Sequence, residues 1–91
     1  MTFAEQAKQI VFDYVNAHLE KTDVHITFGP EDVYVVWFSK TLQNWKALVS
    51  TVLPDGMYYE VTFDGDRDTA YLDAYKKFDN IQIALGTDST V

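Results

Sequence analysis

Asp64-Gly65-Asp66-Arg67-Asp68 sets carboxylates at alternating positions, the pattern by which an acidic loop wraps a calcium ion. An EF-hand loop needs Gly at its sixth position and Glu at its twelfth. Those positions here hold Thr69 and Tyr75, so the segment reads as a polar turn with a helix cap. His18 and His25 are the only histidines, and their spacing arranges no shared ligand set with a carboxylate. His18 falls near the seam of a helix and His25 in a loop. The chain has no cysteine, so it holds neither a thiolate metal site nor a disulfide. Ser39, Ser50 and Ser89 have no histidine at a suggestive offset, and no G-x-S-x-G motif is present. The four glycines fall in turns or the tail, so no glycine-rich loop cradles a phosphate. Each acid has a simpler place as surface, cap or turn than as half of an acid–base pair. The expectation is a protein without catalytic residues, cofactor or metal: not an enzyme.

The remaining candidate is a surface, and a β-hairpin must build it. Residues 45–64, WKALVSTVLPDGMYYEVTFD, carry two strand-like runs around Pro54-Asp55-Gly56. Pro presets φ, Asp tolerates the next turn position and Gly supplies positive φ. Setting Leu53 opposite Met57 pairs Thr51 with Tyr59, Val49 with Val61 and Ala47 with Phe63 on one face. The other face then pairs Val52–Tyr58, Ser50–Glu60, Leu48–Thr62 and Lys46–Asp64. One set is apolar and the other mixed, as a half-buried sheet requires.

Residues 33–39, VYVVWFS, form the most β-prone run and supply a third antiparallel strand through the loop 40–44. With Tyr34, Val36 and Phe38 in the core, Val33, Val35 and Trp37 point outward. The outer face then gathers Val35, Trp37, Leu48, Val52, Tyr58 and Glu60, an apolar and aromatic patch with a polar rim. These six are the expected partner-binding residues. A swap of the strand faces, or folding of the tail Ile81-Gln82-Ile83 over the patch, would remove it. Trp45 belongs to the core face.

Phe3, Ala7, Ile10, Val11, Tyr14, Val15 and His18 recur at helical spacing over residues 3–20. Thr2 and Glu5 stand at capping-box spacing ahead of that run. Gly29-Pro30 punctuates the following connection, in which residues 24–28 are a possible edge strand. Thr69 to Phe78 reads as a second helix capped by Asp68, with Tyr71, Ala74, Tyr75 and Phe78 on one face and Tyr71 and Tyr75 packed on the sheet. The fold class is therefore α+β. A single domain over residues 1–85 has the order α-β-β-β-α, with a three-stranded meander, two helices on one face and a frayed tail at 86–91.

Ninety-one residues bury roughly 60–65% of their unfolded surface, enough for one core. No apolar run nears the roughly 20 residues of a membrane span, and the N-terminus reads as mature helix. The formal charge is −7, with the excess in the second half. That field repels phosphate backbones, so no direct nucleic-acid contact is expected. The predicted element order is shared with double-stranded-RNA-binding domains, but the acids at the predicted second helix have the wrong sign for phosphates. Solubility or a basic partner surface accounts for the charge.

The stretch VYVVWFSKTLQNWKALVSTVLPDGMYYEVTFDGD, followed by YLDAYKKF, resembles a family of small uncharacterised proteins (a domain of unknown function) from phages and prophages of Gram-positive bacteria. The resemblance covers about residues 32–78. It implies synthesis in an infected bacterial host, hence the cytoplasm, and brings no catalytic residue, cofactor or substrate. The expectation is a small acidic phage accessory protein that works by protein–protein contact, on a host factor or host defence or as a homodimer. Two other readings stand beside it: a small-molecule binder, such as of a signalling nucleotide, and an acidic nucleic-acid mimic.

Overall fold

The computed structural model describes residues 1–22 and 28–86. Helix α1 spans Phe3–Thr22 and a 3-10 turn spans Pro30–Asp32. Strands follow at β1, Val33–Thr41; β2, Asn44–Thr51; β3, Met57–Asp64; and β4, Thr69–Lys76. They form one antiparallel meander in the order β1-β2-β3-β4, with α1 against one face.

The start of α1 is a closed capping box. The Thr2 amide donates to Glu5 Oε1 at 2.7 Å, and the Glu5 amide donates to Thr2 Oγ1 at 3.1 Å. Ala7, Val11 and Val15, one turn apart, are buried on Val33, Trp45, Ala47, Val49, Tyr59 and Val61 of the sheet. Trp45 lies on the core face, as expected, stacked on Phe63 at 5.4 Å between ring centroids.

The chain has one helix and four strands among the described residues, not two helices and three strands. Residues 69–76 form β4, and Asp68 is no cap: its φ of 51° is the left-handed residue of a turn. The segment carries both periods. Tyr71, Ala74, Tyr75 and Phe78 fit a helix, whereas Ala70, Leu72 and Ala74 alternate with Thr69, Tyr71, Asp73 and Tyr75. Full-length pairing with β3, from Asp64↔Thr69 to Met57↔Lys76, decides for the strand. The turn between them packs closely on the β1–β2 turn: a methyl on Gly65 would run into the Gln43 carbonyl oxygen.

The β2–β3 register also differs from expectation. Val49 faces Tyr59 and Ala47 faces Val61, a slip of two positions from the alignment that sets Leu53 opposite Met57. The longer loop has a physical cause. The Leu53 amide donates to Thr51 Oγ1 at 3.2 Å, and the Met57 amide donates to Asp55 Oδ1 at 3.1 Å. Leu53 meanwhile packs against the core. A two-residue slip leaves each side chain on its own face, so the sorting of the hairpin survives the change.

Strand β1 departs from strict alternation. Its register moves from Val35↔Val49 to Trp37↔Leu48, making Val36 the extra residue of a β-bulge. Val33, Val35 and Phe38 thereby face the helix, while Tyr34 and Val36 are exposed and not core. The possible edge strand at 24–28 and His25 fall on residues outside the described ones, apart from Phe28, which stacks on Phe12 at 5.5 Å. Of the tail at 86–91, only Gly86 is described.

Candidate interaction surface

The face of the sheet opposite α1 has no element over it among the described residues. Alternation and register place Tyr34 and Trp37 of β1, Leu48 and Ser50 of β2, Tyr58 and Glu60 of β3, and Tyr71, Asp73 and Tyr75 of β4 on this side. Tyr34, Trp37, Tyr71 and Tyr75 are 43–52% exposed, too much for packed core aromatics. Tyr58 and Leu48 lie half-buried between them.

Of the six expected surface residues, Trp37, Leu48, Tyr58 and Glu60 stand together on this face. Val35 does not: the bulge turns it inward against the core. Val52 is exposed but lies beyond the β2 ladder, where its amide donates to the Asp32 carbonyl at 3.0 Å. Tyr34, Tyr71, Asp73 and Tyr75 complete the face and were not expected there. Tyr71 and Tyr75 are sheet residues open to solvent, not side chains packed between a helix and the sheet. The alternation of Ala70, Leu72 and Ala74 was the available signal for the β4 members.

Charge on this face is unevenly matched. Glu60 and Asp73 are direct cross-strand neighbours, an arrangement of like charges that disfavours the pair. Lys46 Nζ lies 3.8 Å from Glu60 Oε2, so Glu60 takes the role expected of Asp64. The phenol of Tyr75 is held above its ordinary range, first by the Glu60 carboxylate and then by Asp73, with burial and a hydrogen bond to Glu60 adding less. Toward the Thr41 end the face hollows into an open trough of about 610 Å³, lined by Trp37, Ser39, Asn44, Lys46, Thr62, Asp64, Asp66 and Tyr71 among others.

The other residues that could do chemistry are locally engaged. Asp64 Oδ1 accepts the Asp66 amide at 3.1 Å, and Asp64 Oδ2 lies 3.9 Å from Arg67 Nε. Asp66 accepts a hydrogen bond from the Gln43 amide group. These contacts tie the acidic segment into a turn. His18 Nδ1 donates to the Tyr14 carbonyl at 2.8 Å, and its ring lies on Tyr14. No group of three or more His, Asp or Glu side chains among the described residues could hold a metal ion.

A family of unknown function, DUF6275, matches residues 4–85. The chain belongs to this family. The match takes in α1 and all four strands, so the DUF6275 unit contains both faces of the sheet. No curated protein and no solved structure shows significant similarity to the chain.

Proposed function

We propose that this DUF6275 protein is a non-catalytic binding module whose working surface is the open face of its sheet. The observation that carries this is the uncovered aromatic set of Tyr34, Trp37, Tyr58, Tyr71 and Tyr75. Tyrosine and tryptophan concentrate binding energy at protein interfaces because they bury large area with few rotatable bonds. A rim of Lys46, Thr62, Glu60 and Asp73 supplies polar contacts around them. The unbalanced Glu60–Asp73 pair and the net charge of −7 favour a partner with basic side chains.

The setting we propose is the cytoplasm of a phage-infected Gram-positive bacterium, on the strength of the sequence resemblance over residues 32–78. There the protein acts as an accessory factor on a host or phage protein, or on itself. No helix among the described residues is long and apolar enough to cross a membrane.

The trough favours a second reading as a small-molecule binder, since it joins aromatic walls to several polar groups. Its carboxylates, Asp64 and Asp66, oppose a phosphate-bearing ligand and suit a cationic or neutral one. The mimic reading gains little support. Acids stand apart at Asp55, at Glu60 with Asp73, and at the 64–68 turn, not in a row spaced like phosphates.

The test is cross-linking capture with the wild type and with a Trp37→Ala, Tyr71→Ala variant, folding being checked by circular dichroism. Expected is a partner held by the wild type and lost by the folded variant. Equal capture by both would remove the open face from the function.

A further inference from the structure

Residues 77–86 leave β4 as an arm without regular structure. Its first amide still continues the ladder, with Lys77 donating to the Gly56 carbonyl at 2.6 Å. Beyond it, Phe78, Ile81, Ile83 and Leu85 are 68–99% exposed. Four large apolar side chains on one short segment are costly to leave in water. Ile81, Ile83 and Leu85 alternate with Gln82, Ala84 and Gly86, so an extended arm presents one apolar side and one nearly featureless side. Such a segment is built to lie flat on something.

We propose that it lies on a second copy of this chain. In a twofold arm exchange, Phe78, Ile81, Ile83 and Leu85 of one copy cover the Trp37–Tyr58–Tyr75 face of the other. The inference rests on the open face being the working surface, and it names the occupant.

Three observations favour this occupant. First, the fit is one of kind: an aromatic face open to solvent and an exposed aliphatic strip belong to the same chain. An arm that already extends clear of its own sheet is sheltered by a neighbour without refolding. Second, the area suffices. Four such side chains offer on the order of 500 Å² per arm. Two arms and the two faces they cover therefore bury on the order of 2,000 Å², the upper part of the range of stable interfaces. Third, the charges match. The only adjacent bases in the sequence, Lys76 and Lys77, stand at the root of the arm, and the acids Glu60 and Asp73 stand on the open face that the arm of a second copy would reach. Exchange about a twofold axis closes the assembly, because each copy gives one arm and receives one.

Light scattering after size exclusion is the first test. The wild type is expected at twice 10.5 kDa. An Ile81→Ser, Ile83→Ser, Leu85→Ser chain and a Trp37→Ala, Tyr75→Ala chain are each expected at the monomer mass. A wild-type monomer overturns the exchange and leaves the open face to a different partner. A dimer that survives the arm substitutions but not the face substitutions overturns the arm alone. A dimer that survives the face substitutions overturns the exchange onto the open face and removes that face from self-association. Absence of cysteine permits a clean second test: a spin label on an Ala84→Cys chain, mixed with isotope-labelled protein lacking it. Broadening of the Trp37 indole signal in the labelled molecules is expected. Broadening seen only when label and isotope share one molecule would mean that the arm folds back on its own sheet, and would overturn exchange.

Discussion

One sheet presents two faces made from the same strands, often from neighbouring residues. Val49 is fully buried under α1, while Leu48 beside it looks toward Trp37 on the open side. The covered face sets Ala47, Val49 and Val61 against Ala7, Val11 and Val15, with Trp45, Tyr59, Phe38 and Phe63 packed around them. The open face consists of rings and charges. Close packing needs side chains that interdigitate without voids. A face rich in tyrosine joins large apolar area to hydroxyls that seek a partner or water, the make-up of a surface with one dry and one wet side. The two faces therefore differ in what they contribute to the fold: one is sealed under the helix, and the other keeps its rings at the solvent boundary.

The largest expected difference comes from placing the same charge on each face. Val49→Lys buries an ammonium among the apolar side chains of the covered face, at a cost of several kcal/mol against a total stability of about 5–15 kcal/mol. The variant is expected to lose cooperative thermal unfolding. Trp37→Lys puts the same group near solvent on an acidic face and is expected to melt within a few degrees of the wild type. Similar losses in the two chains would mean that the faces are not distinct in stability.

How far this division could be read from sequence depends on the element. Helix α1 and its cap were legible, because the Ala7, Val11, Val15 spacing and the Thr2–Glu5 pair each have one physical meaning. The faces of the β2–β3 hairpin were legible although its register was not. Alternation fixes the parity of a strand, whereas the loop hydrogen bonds of Thr51 and Asp55 fix its alignment, and no pattern announces those. Trp37 was placed on the open face for the wrong reason. Strict alternation put Val35 beside it, but the bulge at Val36 turns Val35 inward. The fourth strand was misread because Tyr71, Ala74, Tyr75 and Phe78 satisfy a helical period, while the deciding influence is a neighbour, the long unpaired edge of β3. A third of the candidate surface, Tyr71, Asp73 and Tyr75, depended on that strand.

A middle-sized effect loosens the cover itself. Thr2→Ala removes the acceptor of the Glu5 amide at the start of α1 and is expected to cost about 1 kcal/mol. The reciprocal bond, from the Thr2 amide to Glu5, holds the Glu5 carboxyl below its ordinary range, with the Thr2 backbone the main cause and its side chain next. A lowered folded-state value means stability that is present above the unfolded value near 4.5 and is lost as pH falls through the folded one. Thermal melts should show the wild type losing this increment in acid. Amide exchange should quicken on the covered side in Thr2→Ala, while Trp37 fluorescence stays unchanged. A change in Trp37 would show that the two faces communicate through the sheet.

The smallest effect sharpens the contrast most, because it sets two tyrosines against each other. The Tyr59 phenol, on the covered face, is pushed up to about 12, first by burial and then by Asp55 and Tyr14. Tyr75, on the open face, is raised first by the charge of Glu60. Both shifts favour the neutral phenol, so their contribution to stability is whole below pH 10 and is lost as pH rises through the folded values. Salt should separate them. Repulsion between exposed charges is screened at 1 M salt, where the Debye length is about 3 Å, whereas exclusion from water is not. Phenolate absorbance titrations of Tyr59→Phe and Tyr75→Phe, compared with the wild type, resolve the two groups. The Tyr75 transition is expected to move down toward 10 in high salt, and the Tyr59 transition to keep the larger part of its rise, which comes from burial. If both moved together, one kind of environment would serve both faces, and the open face would no longer stand apart as the charged, solvent-facing side.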